Sequence, residues 1–216
     1  MAKSRSVYVC SDCGAQSPQW LGRCPNCGKF GTLVEEITES AAPQKTVKRE
    51  RSVSAKRPVP LSEVKEERYS RVSSGIAELD TVLGGGIVPG SLVLIGGDPG
   101  IGKSTLLTEV SAHLSEKHRV LYVSAEESCS QVKMRCSRLK LDSSNLLLLN
   151  ETCLEDIEEA IEDEKFVVID SIQAVYTSEL SSAAGSVGQV RECAGKLQRI
   201  AKGRGITFFI VGHVTK

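Results

Sequence analysis

The sequence predicts an α/β protein in which helices cover both faces of a parallel sheet, with a small metal-binding ribbon before it. Short, continuous apolar segments alternate with segments of helical periodicity from about residue 67 onward. This alternation is typical of βαβ units around a buried parallel sheet. A glycine-rich segment follows the first of these strands, and two Cys-x2-Cys pairs lie near the N-terminus.

Composition divides the chain into three segments. Residues 1–35 contain four of the eight cysteines and the single tryptophan, and we assign them to the ribbon. Residues 36–66 are polar, charged and proline-containing, which predicts a flexible linker because such a segment buries little apolar area. Its basic run, residues 45–57, is interpreted as a solvated tether or as a weak phosphate-contacting arm. Residues 67–216 form the predicted α/β core.

The elements of the core follow from its apolar pattern. Continuous apolar runs predict strands, and apolar residues three or four apart predict helices. The predicted strands are 91–96, 119–124, 145–150, 166–170 and 206–212, and the predicted helices are 103–117, 130–140, 154–164 and 190–203.

Charge and hydropathy exclude several classes of protein. Lysine plus arginine and aspartate plus glutamate both number 27, so any nucleic-acid surface must be local. No apolar run approaches the roughly 18 residues that cross a bilayer, and the N-terminus lacks the apolar core of a secretory signal. We therefore expect a cytoplasmic protein with no membrane partner, whose cysteines stay reduced.

The four N-terminal cysteines have the spacing of a metal site. Cys10 and Cys13 form one pair and Cys24 and Cys27 the other, each followed by a glycine. Four thiolates favour tetrahedral Zn²⁺ in a structural role, since no coordination position stays open. Disulfides, a redox pair and an iron cluster are weighed as alternatives. The other cysteines, which lack ligand spacing and are interpreted as small buried residues, are Cys129, Cys136, Cys153 and Cys193.

The glycine-rich segment matches the phosphate-loop pattern G-x4-G-K-[ST] between a predicted strand and a predicted helix. Its backbone N–H groups and the helix N-terminus favour phosphate. Lys103 is expected to reach the β- and γ-phosphates, and Ser104 to ligate Mg²⁺. The predicted nucleotide-binding residues are Gly97, Asp98, Pro99, Gly100, Ile101, Gly102, Lys103, Ser104 and Thr105.

Three carboxylates follow predicted strands. Asp170 ends the run "FVVID", as expected of a Walker B acid that helps to hold Mg²⁺. Glu126 and Glu127 follow "YVSA" and are candidates for the group that activates water. From the residues alone, solvated acids at a helix N-terminus are an equally good interpretation of this pair.

The segments "SGIAELDTVLGGGIVPGSLVLIGGDPGIGKSTL", "VLYVSAEES" and "VVIDSIQ" resemble the RecA-like ATPases. With the cysteine ribbon and "VGHVTK", the chain resembles the bacterial RadA/Sms DNA repair family. The resemblance implies a DNA-dependent, hexameric ATPase that promotes branch migration on single-stranded and branched DNA beside a RecA-type recombinase filament. It also implies catalytic roles for Lys103 and Asp170.

The resemblance further implies that Glu126 is the base, with Glu127 in reserve, and that His213 senses the γ-phosphate. It assigns residues 176–189 to a DNA-binding loop. The family continues with a Lys-Asn-Arg-Phe-Gly motif and a Lon-protease-like domain, so we expect this chain to be truncated. The alternatives are a nucleotide-gated binding module and a RecA-like signalling or clock ATPase.

Overall fold

The computed structural model describes residues 5–38, 60–63 and 70–213, and its N-terminal part is a small antiparallel sheet. Strand β1 (Arg5–Cys10) lies between β2 (Gln16–Ser17) and β3 (Leu33–Thr38). Strand β3 pairs with β1 along its whole length, up to the pair Arg5 and Thr38. The pairing of β3 with β1 therefore continues three residues beyond the predicted ribbon boundary at residue 35.

Most of the predicted linker lies outside the described residues. Within it, Leu61–Glu63 form a short 3-10 helix. The start of the predicted core, residues 67–69, is also outside the described part of the chain.

The core contains a five-stranded parallel sheet of order β4-β8-β7-β5-β6. The predicted parallel α/β sheet is thus confirmed, with strand ends that differ by a residue or two. Its strands are β4 (Leu92–Gly97), β5 (Val120–Ser124), β6 (Leu146–Leu149), β7 (Phe166–Asp170) and β8 (Thr207–His213).

In the part of the chain that the structure describes, five α-helices surround this sheet. They are α1 (Ala77–Val82), α2 (Lys103–Ser115), α3 (Cys129–Arg138), α4 (Leu154–Ala160) and α5 (Val187–Arg204). Helix α1 was not predicted, and α4 is shorter than the predicted 154–164. The α4 helix stops because Ile161 is extended and the buried Glu164 turns back to accept a hydrogen bond from the Glu162 N–H at 2.8 Å.

The core is split between the two faces of the sheet. Adjacent residues of β8 show this division, since Phe208 packs on one face and Phe209 on the other. Helices α4 and α5 cover the Phe208 side, where Leu197 is fully buried. Helices α2 and α3 cover the Phe209 side, where Leu107 and Val132 are buried. Helices on both faces are what the continuous apolar strands predicted.

We expect Leu197→Ala to lower the free energy of unfolding of the core by about 2–5 kcal/mol, because it leaves a cavity beneath α5. The matched control is Met134→Ala on α3, whose side chain is 65% exposed; it should cost no more than about 0.5 kcal/mol. Urea unfolding followed by circular dichroism measures both. Equal losses in the two variants would contradict this description of the core.

Candidate nucleotide-binding site and zinc centre

The carboxyl ends of four strands gather the predicted nucleotide residues at one edge of the sheet. Gly97 at the end of β4 lies opposite His213 at the end of β8. Ser124 at the end of β5 lies opposite Asp170 at the end of β7. Because all these strands are parallel, the loops after them leave the sheet on the same side.

The phosphate loop joins β4 to α2. Gly100 (φ 82°) and Gly102 (φ 95°) take left-handed conformations, and Gly102 is the residue that precedes the helix. Lys103 is buried, and its Nζ donates to the carbonyl oxygens of Gly97 at 2.9 Å and Asp98 at 2.7 Å. The loop thus holds an ammonium group inside its turn, next to a helix N-terminus, and both favour bound phosphate.

Asp170 is the predicted Walker B acid, and it is only 8% exposed. Tyr122, on the neighbouring strand β5, donates a hydrogen bond from its hydroxyl to Asp170 Oδ2 at 2.6 Å. Burial and the Asp170 charge raise the pKa of Tyr122, so the phenol keeps the proton it donates. Sequence reasoning missed Tyr122. The available signal was a tyrosine in an otherwise apolar strand, two residues before its end.

The carboxylate of Glu126 lies beside two polar side chains, those of Ser171 and His213. The hydroxyl of Ser171, the residue after Asp170, donates to Glu126 Oε1. His213 Nε2 is 3.6 Å from the same oxygen. Among the described residues, the buried His213 Nδ1 has no hydrogen-bond partner. The structure therefore brings Glu126, His213 and the end of β7 together.

Glu127 has a different environment from Glu126. Its Oε2 pairs with Arg135 Nη2 of α3 at 2.5 Å, and the Arg135 side chain is only 10% exposed. Its carbonyl oxygen accepts a hydrogen bond from the Ser124 hydroxyl at 2.7 Å. Glu127 therefore joins α3 to the end of β5, whereas the half-exposed Glu126 has no such arginine.

The predicted DNA-binding loop, residues 176–189, is shorter than expected because α5 begins at Val187, after the capping residue Ser186. Buried Gln189 donates from Nε2 to the carbonyl oxygens of Thr177, Leu180 and Ser182, at 3.0–3.2 Å. The remaining tip, Ala183 to Gly185, is exposed. The side-chain amide of Gln189 thus holds the base of the loop in place, and it does not bond to the exposed tip.

A second anchor lies on the outer side of this loop. Lys196 Nζ of α5 contacts Glu155 Oε1 at 2.9 Å and Glu179 Oε1 at 2.8 Å. Burial raises the pKa of Glu155, but hydrogen bonds from Lys196 and Thr177 outweigh it and hold that pKa well below its usual range. The charge of Lys196 is therefore satisfied within the protein.

The four ribbon cysteines converge as predicted. Cys10 Sγ is 3.7 Å from Cys27 Sγ, and Cys13 Sγ is 3.6 Å from Cys24 Sγ. All four sulfurs lie within 4.8 Å of one another. All four cysteines are free, and such a set fits a tetrahedral S₄ metal site.

The ionisation of the cluster also indicates a cation. Burial raises the pKa of Cys10, but hydrogen bonds with Thr32 and the backbone outweigh it and lower the pKa to about 6. A backbone hydrogen bond from Lys29 lowers the pKa of Cys27, but burial and the other three sulfurs raise it to about 12. Four adjacent thiolates therefore need a positive ion before all can lose their protons, and the residues fit Zn²⁺.

The other cysteines divide into two kinds. Cys136 and Cys193 are buried, as predicted. Cys129 and Cys153 are only partly buried, so that prediction is wrong for them, because they lie at or just before the exposed first turns of α3 and α4.

A second group of metal-ligand residues among those described is acidic. Glu162, Asp163 and Glu164 cluster before β7. Arg119 lies 2.9 Å from Asp163 and 3.0 Å from Glu164. This cluster is therefore an ion pair network at the amino end of the sheet.

Models of known protein families match both the N-terminal ribbon and the α/β core. A family model described as an AAA domain matches residues 56–216, and one described as a rubredoxin metal-binding domain matches residues 8–35. The chain belongs to the AAA domain family. The predicted phosphate loop and the predicted Walker B acid are in keeping with an AAA domain.

Individual proteins extend the comparison. The DNA repair protein RadA of Bacillus subtilis is 50% identical over the whole chain, and that of Listeria monocytogenes is 49% identical. The chain spans about half the length of these relatives, 48% and 47%. The predicted resemblance to RadA is confirmed.

A solved structure supports the fold of the AAA domain. A KaiC-like protein of Pyrococcus horikoshii matches with a TM-score of 0.57 and 22% identity, over 68% of this chain and 71% of that protein. Within the described part of the chain, no helix has the length and apolarity to cross a membrane.

We expect Cys27→Ser to abolish stoichiometric zinc binding, because it removes one of four ligands and the ribbon has little other core. Zinc is measured by atomic absorption after dialysis, and the melting of the core by circular dichroism. The control, Cys129→Ser, removes a free cysteine outside the cluster. Undiminished zinc in Cys27→Ser would contradict the assignment, and a lower melting temperature of the core would contradict independent domains.

Proposed function

We propose that this chain is the ATP-hydrolysing part of a DNA repair protein. The observation that carries the proposal is the gathering of the phosphate loop, Asp170 and Glu126 at one edge of the sheet. The relatives named DNA repair protein RadA support the biological setting. Phosphoryl transfer needs mainly positioned charges, and this edge supplies a cation, a metal-binding acid and a second carboxylate.

Each residue has one role in the proposed reaction. Lys103 and the loop N–H groups bind and orient the phosphates of ATP. Ser104 and Asp170 hold Mg²⁺, which when bound neutralises charge on the phosphate oxygens. Glu126 accepts the proton of the attacking water or orients that water for attack. Thr105 and the other loop residues from Gly97 to Gly102 complete the phosphate site.

The environments of the two glutamates favour Glu126 as the base. A general base must be free to accept a proton, and the groups beside Glu126 are the hydroxyl of Ser171 and the imidazole of His213 rather than an arginine. Glu127 faces a permanently charged, nearly buried arginine, Arg135. An ion pair of this kind favours the ionised form of the carboxylate and holds its Oε2 against the guanidinium.

His213 connects the base to the β8 strand in this proposal. Its Nε2 faces Glu126 and its carbonyl oxygen accepts a hydrogen bond from Gln173 at 3.3 Å. A polar side chain at the end of β8, beside the phosphate loop, can respond to the γ-phosphate. We therefore propose His213 as the sensor that links nucleotide state to the neighbouring loop.

The proposed DNA activity is the processing of recombination intermediates, with branch migration on single-stranded and branched DNA. A hexameric ring beside a RecA-type recombinase filament would be the working assembly, in the cytoplasm. The exposed tip of the loop at 176–186 supports this part of the proposal, because it leaves the same edge of the sheet as the nucleotide residues. The loop has no lysine or arginine. Its contacts with DNA would therefore use hydroxyls and backbone N–H groups.

We expect Glu126→Gln to retain ATP binding and lose hydrolysis by about 10²–10⁴-fold, the usual contribution of a general base. Glu127→Gln is the matched control, because it makes the same change one residue away. It should weaken the contact with Arg135 and leave most of the hydrolysis. Single-turnover hydrolysis and fluorescent-nucleotide binding measure the two effects. If Glu127→Gln is the inactive variant, the assignment of the base is wrong.

A second test addresses the function itself. We expect slow ATP hydrolysis by this chain and faster, DNA-stimulated hydrolysis by a full-length relative, since a cation donated by a neighbouring subunit can contribute about 10³–10⁵ in rate. Lys103→Ala should abolish hydrolysis in both proteins, with Lys202→Ala on the exposed side of α5 as control. Nucleotide binding without turnover, with or without DNA, would favour a nucleotide-gated binding module. If DNA does not change the rate of ATP hydrolysis by the full-length protein, a signalling ATPase is favoured.

A further inference from the structure

The two proposed Mg²⁺ ligands come from different elements of the fold. Ser104 lies in the first turn of α2, and Asp170 ends β7. A metal site needs both oxygens at fixed positions, so something must hold the helix and the strand in register with each other. Two buried side chains contact these residues through their hydroxyl groups, one on the helix side and one on the strand side.

Thr108 makes the contact on the side of the helix. Its hydroxyl donates to the carbonyl oxygen of Ser104 at 2.7 Å. Both Thr108 and Tyr122 are fully buried, with 0% exposure.

Tyr122 makes the contact on the side of the strand. Its hydroxyl donates to Asp170 Oδ2 at 2.6 Å, across the neighbouring strands β5 and β7. This bond uses one carboxylate oxygen. Among the described residues, Asp170 Oδ1 receives no hydrogen bond from a side chain, so it stays available to a metal ion or its water.

Packing alone does not require this hydroxyl. The other residues of β5 before Ser124 are valine and leucine, and a phenylalanine would fill nearly the same space as Tyr122. A buried hydroxyl carries a desolvation cost unless it is hydrogen-bonded. Here the hydroxyl is hydrogen-bonded to the carboxylate of Asp170, and this bond restricts the rotation of that carboxylate.

We propose that Tyr122 is a positioning residue for the metal site, because its hydroxyl sets the orientation of Asp170. Thr108 supports the same site from the helix, where its hydroxyl holds the carbonyl group of Ser104. The effect of Tyr122 is on the affinity for Mg²⁺ in the presence of nucleotide. The inference rests on the proposed function for the identity of the ligand, a magnesium–nucleotide complex. Tyr122 itself touches neither the metal nor the phosphates.

The test is a Tyr122→Phe variant of the full chain, which removes only the hydroxyl oxygen. A fluorescent ADP analogue is bound first in EDTA and then with increasing Mg²⁺. We expect the half-saturating Mg²⁺ concentration to rise about tenfold, as for other residues that orient a metal ligand. The affinity in EDTA should stay within about twofold. Tyr8→Phe, in the ribbon, is the matched control and should change neither value.

A purely structural role for Tyr122 predicts a different result. It would lower the melting temperature in EDTA and leave the Mg²⁺ dependence unchanged, and that outcome would overturn the inference. If Tyr122→Phe does not fold, Thr108→Val decides the question. It keeps the shape of the side chain and removes the contact with Ser104, and an unchanged Mg²⁺ dependence there would overturn the inference as well.

The failure of the proposed function gives a distinct result. If nucleotide binding by the wild-type protein does not depend on Mg²⁺, the proposed ATPase function itself is overturned. If Mg²⁺ strengthens nucleotide binding equally in the wild-type protein and in Tyr122→Phe, only the proposed role of Tyr122 is overturned.

Discussion

The parallel register of the core sheet is the constraint on which the site depends. It sets Ser124 opposite Asp170 and Gly97 opposite His213. Side chains alternate between the faces of a strand, so a slip of one residue would turn each of them to the other face. The same slip would exchange Phe208 and Phe209 between the two halves of the core. The apolar packing therefore holds the geometry of the proposed site in place.

The sequence predicted the parts whose signal is local. Continuous apolar runs fixed the five strands to within a residue or two, and the glycine pattern located the loop that holds Lys103. Helix α1 was missed because its six residues are too few to show periodicity. It is stabilised instead by Asp80, which accepts hydrogen bonds from the Ser73 hydroxyl at 2.7 Å and the Ser74 N–H at 2.8 Å. Those contacts depend on the turn before α1, which cannot be predicted from the pattern of apolar residues.

The sequence pattern could not assign different roles to adjacent residues with the same chemistry. Glu126 and Glu127 are both carboxylates after one strand, and the pattern gives no reason to separate their roles. Their tertiary partners differ, because Arg135 reaches back from α3 to Glu127 while Ser171 reaches across from the end of β7 to Glu126. Tyr122 was missed for a similar reason, since a buried strand accepts tyrosine for packing alone. Its bond to a carboxylate on another strand becomes visible only when the strands are paired.

The ribbon and the core reach stability by different physical means. In the described ribbon only Cys10, Cys24 and Leu33 form a buried apolar cluster, and two of these three residues are metal ligands. The sheet core needs no such ligand, because it buries apolar residues on both faces. A backbone hydrogen bond from Lys29 lowers the pKa of Cys27, but burial and the neighbouring sulfurs raise it, so without a bound cation this cysteine stays a neutral thiol and the cluster is not fully ionised. It follows that metal binding and ribbon folding are one equilibrium, while the core folds on its own apolar contacts.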